Sequence, residues 1–511
     1  MKIIKNEISK RCFQKCISFY NSKIFIIAII LYGIILRLRC YLFNRSLWLD
    51  EAMLSLNIVN RDFLGLLKPL EYSQGAPIGF LWVERIMVLL FGNNELTLRL
   101  FPLMAGILSI FLFYILIKYY IDSKFIQMSL LLFVVSEKLI YYSSEVKQYA
   151  VDVLVTLILY IVFVRLQFRK ITVCNAFFLG IIGAISIWFS HASFFVLSGI
   201  GLIFLLFYLY KKDRSSILSL CIVFLFWIFS FLTNYFLVLV YLKNNSILLG
   251  YWDDYFMPFP PRSFWDLVWF EEKFCAIFSD PMGLTFTGIA ILTFLVGCVD
   301  MFANKRKEYF LLSAPIFITL AASAFRLYPF GGRLILFLVP IILIFISQGA
   351  RKIITQHSGK SISIGIIVTS LLIFDPTLWS SYYMMRPKGK EEIKPVLEYV
   401  SKHIEKNHYI YVYYYAEEAF NYYLKDYKFD KSKIILANIP SNGKGEESWS
   451  ECVEDLNSLK GYGKIWFIFS HDWKSEDKLF ISVLDSMGKR MDSFQDQGAS
   501  AYLYDISEFN Y

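Results

Sequence analysis

Long apolar runs alternate along this chain with short polar connections, most of them basic. The runs lie at 24–43, 99–117, 125–142, 149–165, 174–189, 194–210, 215–242, 284–303, 309–325, 334–349 and 361–379. A helix needs about 20 predominantly apolar residues to cross a bilayer, so the pattern predicts about 11 transmembrane helices. A further apolar run, 78–91, is only fourteen residues long and carries Glu84 and Arg85 at its centre. It predicts an interfacial helix that does not cross.

Charge sets the parity of that count. Through Lys23 the N-terminus carries six Lys/Arg, and no small-residue cleavage site follows the first run. It therefore reads as a retained signal anchor that starts in the cytoplasm. With 78–91 not crossing, Lys118 and Lys124, Arg169 and Lys170, Lys211, Lys212 and Arg214, Lys305 to Lys307, and Arg351, Lys352 and Lys360 all fall on the cytoplasmic side. The connections 44–98, 143–148, 190–193, 243–283 and 326–333, and everything after 380, then lie outside, as the positive-inside rule requires.

After Ser380 the composition turns polar. The segment 391–406 places Ile393, Val396, Leu397, Val400 and Ile404 on one helical face. Strand-like runs at 409–415, 433–439, 464–470 and 500–506 alternate with helix-like segments near 416–425, 449–459 and 475–487. Two domains are expected: an α-helical polytopic membrane domain at 1–380, with a large first outer loop 44–98, and a soluble extracytoplasmic α/β domain at 381–511 with a largely parallel sheet. The second contains no glycine-rich phosphate loop, and no internal repeat is evident in the chain.

Composition narrows the class. Of 511 residues 57% are hydrophobic and only 18% charged, against roughly 25% charged in soluble domains. A soluble enzyme and a disordered chain are excluded. The net charge of +9 sits largely in short loops, a topology signal and not a nucleic-acid surface. The eight cysteines show no zinc-like spacing. Cys40, Cys174, Cys221 and Cys298 fall in or beside apolar runs, Cys12 and Cys16 in the basic N-terminus. Cys275 and Cys452 are the one pair that this topology leaves outside to form a disulfide.

Polar residues gather in the outer loops, where burying them is expensive unless they serve a purpose. In SLWLDEAMLSL, Asp50 and Glu51 are adjacent, so at most one faces a given site. Either is a general base for a hydroxyl nucleophile, or the pair opens a helix whose dipole favours acids. In SSEVKQYAVD, helical spacing puts Glu145, Gln148, Tyr149 and Asp152 on one face and points Lys147 elsewhere. This is a polar stripe for a ligand, or an interfacial anchor with Asp152 paired to a neighbouring helix. In RLYPFGGR, Arg326 and Arg333 flank a Gly-Gly turn on the side where basic residues are disfavoured. Arginine grips phosphate with two parallel hydrogen bonds and glycine lets backbone approach an anion; the alternative is snorkelling at helix ends. His191, in the tight turn FSHAS, is a metal or phosphate contact or a plain turn histidine. Arg37 and Arg39, near the end of the first run, are expected to snorkel. WDD (252–254) sits in an aromatic outer loop suited to lying on the membrane.

Taken together these strings resemble the C-type glycosyltransferase superfamily. SLWLDEA matches its first outer-loop signature. QGAPIGFLWVERI (74–86), NELTLRLFPLMAGILS (94–109), IYYSSEVKQYAVD (140–152) and YPFGGRLILFLVP (328–340) are similar, in the same order, to family-39-type bacterial membrane glycosyltransferases. Those are relatives of the protein O-mannosyltransferases and of the lipid A aminoarabinose transferase. The resemblance covers roughly residues 24–350. It implies a sugar donor carried on polyprenyl phosphate, transferred on the extracytoplasmic side of a cell (inner) membrane to a glycan, lipid or protein acceptor. By the family pattern Asp50 is the base, with Glu51 second, and Glu145 supplies the second acidic site. Arg37, Gln74, Lys147, Gln148, Tyr149, Asp152, His191, Arg326, Tyr328 and Arg333 are candidate substrate-binding residues. Two positions depart from the pattern: Lys147 stands where relatives carry arginine, and Glu137–Lys138 where they often carry Ser-Pro.

The chemistry expected of these residues is a single inverting displacement, since a phosphate leaving group needs cations and no general acid. A divalent cation held by Asp50, Glu145 and His191 is a further option without a spacing signal. A transporter or flippase of lipid-linked sugars is the alternative function, and a non-catalytic membrane scaffold a third.

Overall fold

The computed structural model describes residues 22–166, 168–355, 359–387, 389–438, 449–471 and 476–507. The basic segment 1–21, with Cys12 and Cys16, lies outside them. Two compact units emerge: Met1–Phe43 with Asp62–Pro387, and Asn44–Arg61 with Lys388–Tyr511.

In the first unit every apolar run of the sequence is helical. Among the described residues eight helices are long and apolar enough to cross a membrane, or nine if one bent pair is a single span. Val173–Phe189, at 17 residues, and Arg306–Ala324, which opens on Arg306, Lys307 and Glu308, account for the other two runs. Lys23–Leu42 shows why these are membrane helices. Ile29, Gly33, Leu36 and Cys40 face the bundle, while Ile24, Ile27, Leu31 and Ile35 form an exposed stripe on another face. Leaving such side chains in water forfeits about 1.5–3 kcal/mol each, so lipid must be their solvent. The protein is a multi-pass membrane protein. Ile78–Phe91 is a helix of 14 residues, about 21 Å long at 1.5 Å per residue, short of the roughly 30 Å a crossing needs.

Three basic connections meet at one end of this unit. Lys305 Nζ donates to the Tyr120 carbonyl at 2.9 Å, and Arg351 reaches Asp122 at 3.1 Å and the buried Asp300 at 2.8 Å. Gln348 donates to Asp300 at 2.9 Å, and Lys352 lies 3.2 Å away. Above this cluster Thr287–Asn304 and Val339–Thr355 cross almost in backbone contact. A Cβ on Gly297 would lie 1.9 Å from the Phe345 carbonyl oxygen, and one on Gly349 1.8 Å from that of Thr293. Gly349→Ala is therefore expected to destabilise the protein by about 1–3 kcal/mol, read as a lower Tm in detergent. Gly288→Ala, whose Cβ would meet nothing within 4 Å, should leave it unchanged.

Two local expectations are corrected. The run 125–142 is not one straight helix: Ser123–Val135 and Glu137–Ser144 meet at a 59° bend. The break falls at Ser136, whose Oγ donates to the Met282 carbonyl at 3.2 Å, and Lys138 behind it lies 3.7 Å from Asp280. The charged pair Glu137–Lys138 thus marks the bend. Residues 145–148 are non-helical, and the helix begins at Tyr149.

The second unit carries a five-stranded sheet of order β2-β1-β3-β5-β4, with β1 Tyr409–Val412, β2 Ile434–Leu436, β3 Lys464–Ser470, β4 Lys489–Asp496 and β5 Ala499–Asp505. β1 pairs in parallel with β2 and β3, whereas β5 runs antiparallel to β3 and β4. The sheet is therefore mixed and not largely parallel as expected; β4, a polar edge strand with no apolar alternation, gave no signal in the sequence. Ile393–His403 buries Ile393, Val396, Leu397 and Val400 as its pattern predicts. Cys275, in the first unit, and Cys452, in the second, are both free thiols.

Candidate functional site

In the second unit Asp50 and Glu51 open the helix Leu49–Asn60 on different faces. Glu51 is fully buried, 4.0 Å from Arg45, while Asp50 is half-buried. The strand of chain before them is held in place residue by residue. Lys394 Nζ donates to the Asn44 carbonyl at 2.9 Å, and Glu392 Oε2 accepts from Ser46 N and Oγ at 3.0 and 2.9 Å. Leu47 N donates to the Tyr423 hydroxyl at 2.8 Å, and Leu49 N to Glu391 Oε2 at 2.9 Å. Lys390 lies 3.5 Å above the Trp48 ring.

In the first unit Glu145 is buried in the short loop between the turn Tyr142–Ser144 and the helix Tyr149–Leu166. The expected single helical face is not formed, since Glu145 and Gln148 precede the helix. The loop is instead pinned to 74–75: Lys147 Nζ donates to Gln74 Oε1 at 2.6 Å and Gln148 Nε2 to the Gly75 carbonyl at 3.4 Å. Tyr142 stacks edge-on with Tyr149 at 5.0 Å and lies in the fields of Glu145, Arg333 and Asp280. Asp152, one turn deeper, meets the Ser190 side chain. Tyr328 lies near Asp152 and Tyr149 and donates to the Leu334 carbonyl at 2.8 Å. Burial pushes the His191 imidazole down to about 4. Arg37 does not snorkel. It is buried in the bundle, donating to the Gly33 and Val134 carbonyls at 3.0 and 3.4 Å. Arg39 Nε donates to the Met384 carbonyl at 3.2 Å.

The arginine turn is built against the WDD loop. Phe330 N donates to the Tyr255 carbonyl at 2.8 Å, and a Cβ on Gly331 would lie 2.3 Å from the Tyr255 ring. Gly332 has φ +50°, a left-handed conformation that favours glycine. Both glycines thus have a packing or backbone reason. The two arginines part company here. Arg326 is exposed, pairs with Asp253 and covers Phe256 at 4.7 Å. Arg333 is half-buried over the faces of Tyr149 at 5.7 Å and Trp252 at 5.4 Å. Only Arg333 belongs to the acidic-loop neighbourhood of Tyr142 and Glu145.

Sequence reasoning missed Asp280, Tyr142, Glu391 and His471. Asp280 and Tyr142 could have been weighed with Glu137–Lys138, and Glu391 sits in an acid pair, Glu391–Glu392, that parallels Asp50–Glu51. Among the described residues no three His, Cys, Asp or Glu side chains gather closely enough to hold a metal ion.

No protein-family profile matches the chain, and no curated protein matches it in sequence. Solved structures do match in fold. ArnT from Cupriavidus metallidurans bound to undecaprenyl phosphate aligns over 94% of this chain and 97% of its own, with a TM-score of 0.56 at 11% identity. The Archaeoglobus fulgidus oligosaccharyltransferase in complex with Zn and sulfate aligns over 93% of this chain and 72% of its own, with a TM-score of 0.51 at 12% identity. The archaeal oligosaccharyltransferase AglB from the same organism, in complex with an inhibitory peptide and a dolichol-phosphate, aligns over 93% and 74% with a TM-score of 0.50 at 10% identity. Fold is what such low identity shares, and it extends over most of the chain: this protein has the C-type glycosyltransferase fold.

Proposed function

We propose that the chain transfers a sugar from a polyprenyl-phosphate-linked donor to a hydroxyl acceptor on the extracytoplasmic side of a cell membrane, with its N-terminus in the cytoplasm. The observation that carries this reading is the near full-length fold match to ArnT held with undecaprenyl phosphate; a second neighbour, AglB, holds dolichol-phosphate. The loop strings of the sequence support it independently.

In this reading Asp50 takes the proton of the acceptor hydroxyl as its oxygen attacks the anomeric carbon. The new C–O bond forms as the bond from that carbon to the phosphate oxygen breaks, with inversion. Polyprenyl phosphate leaves with the electron pair, and the proton remains on Asp50. The departing phosphate is already the anion of an acid, so cations replace a general acid. Arg333 is the better supported of the two arginines for this task, because Arg326 is turned to Asp253. Glu145 supplies the second acidic site, and Lys147 and Gln74 act as a hydrogen-bonded pair in the same loop region.

The test starts with mass spectrometry of lipid co-purified with the protein. The corresponding polyprenyl-phosphate sugar, labelled, is then incubated with the detergent-solubilised protein and cell-envelope glycan, lipid and protein fractions. Covalent label in one fraction is the expected result, and repeating it in chelator decides whether a divalent cation takes part. Label that crosses sealed vesicles without ever becoming attached to an acceptor would identify a flippase and refute the proposal.

A further inference from the structure

Glu391 holds two groups at once. Its Oε2 accepts from Leu49 N at 2.9 Å, in the first turn of the Asp50 helix, and its Oε1 lies 2.7 Å from Nδ1 of His471. His471 directly follows β3, at the carboxyl ends of the parallel strands, where α/β sheets place their sites. Its φ is +56°, a left-handed conformation that costs a non-glycine residue about 1–2 kcal/mol. A strained residue locked by a carboxylate beside a candidate base is a reason to look for a role.

We propose that Glu391 and His471 are positioning residues for Asp50: the glutamate fixes the first turn of the helix that bears it, and the imidazole supplies a titratable partner beside its carboxylate. The inference rests on the reading of Asp50 as the base, and it gives the α/β part of this unit a role in transfer.

The electrostatics agree with the geometry. Burial of the His471 ring works against protonation, but the hydrogen bond and charge of Glu391, joined by Asp50, outweigh it against the opposing Lys390, and the net shift is upward. Tyr415, at 5.5 Å, and Glu418 face the ring from the corner after β1. Protonated His471 opposes the proton that Asp50 must take up. That opposition is complete at low pH and is lifted as pH rises through the raised His471 value. Transfer should therefore rise with pH along a limb that belongs to His471.

Two measurements on the full-length protein in detergent decide the matter. The first is an NMR titration of histidine-labelled protein, with the His471 signal assigned by its loss in His471→Gln. Asp50→Asn is expected to lower the His471 midpoint, whatever the catalytic role of Asp50. The second is the pH profile of label transfer from the co-purified lipid donor. His471→Gln keeps a donor for Glu391 but cannot take up charge, so the rising limb that belongs to His471 should flatten with KM for the donor unchanged. His471→Ala and Glu391→Ala also free the helix start and should lower kcat about 10- to 100-fold. Should either alanine variant fail to fold, the titration and the glutamine variant still decide. A His471 midpoint unmoved by Asp50→Asn, or a glutamine variant with the wild-type pH profile while Asp50→Asn is inactive, overturns this inference and leaves the proposed function standing. Full activity of Asp50→Asn overturns both.

Discussion

Asp50→Asn is expected to lower transfer by about 10²–10⁴-fold while leaving the Tm within a degree or two of wild type. The substitution keeps size and removes the only property a general base needs. Asp50 is half-buried in the first turn of Leu49–Asn60, and the turn itself is held by Glu391 on the backbone of Leu49. Asparagine keeps the size of Asp50 and leaves that backbone contact in place. Glu51→Gln should behave in the opposite way. Glu51 is fully buried and faces the buried Arg45 at 4.0 Å, and neutralising one partner of such a pair costs on the order of a few kcal/mol. Its signature is a lowered Tm, with kcat per folded molecule retained. Initial rates and thermal unfolding of the two variants, side by side, separate the adjacent acids that the sequence left as alternatives. A Glu51→Gln protein that is stable but inactive, beside an active Asp50→Asn, would exchange their roles.

The membrane fold was legible because its signal is redundant: a run of some twenty apolar residues has few other readings, and the basic loops check the parity. Lys305, which bonds the Tyr120 carbonyl, and the pair Arg351 and Lys352, which reach Asp122 and Asp300, come to one end of the first unit from segments far apart in sequence. Short-range geometry was less legible. Helical spacing placed Glu145 and Asp152 on one stripe, but periodicity assumes a helix, and the helix starts only at Tyr149. β4 escaped because an edge strand with both faces exposed shows no alternation. Nothing in the sequence showed that Gly331 also makes room for the Tyr255 ring, a contact from a loop some 75 residues earlier in the chain. Glu391 and His471 were invisible for a similar reason: each is unremarkable alone, and only folding brings Glu391 to Leu49 and His471 to Glu391.

The arginine turn yields the second large effect. Arg333→Ala is expected to reduce kcat by about 10²–10³-fold, the usual cost of removing one preorganised donor to developing negative charge, whereas Arg326→Ala should change it less than about threefold. The asymmetry follows from what each guanidinium already does. Arg326 is 55% exposed and tied to an equally exposed Asp253, and such surface pairs are worth only about 0–1 kcal/mol. Arg333 is half-buried between the rings of Tyr149 and Trp252, within the field shared by Tyr142 and Glu145. Flat faces on a guanidinium leave its edge, with the N–H groups, for a planar or tetrahedral oxyanion. Arg333→Lys should therefore recover little, since an ammonium has neither the stacking plane nor the paired donors. Trp252→Ala should give an intermediate loss by releasing one side of that clamp. Donor affinity adds a control: binding of undecaprenyl phosphate, followed as a rise in Tm, should weaken in Arg333→Ala and persist in Arg326→Ala. Equal losses in the two alanine variants would mean that the arginines act as a pair, and the division between a surface ion pair and a phosphate ligand would have to be given up.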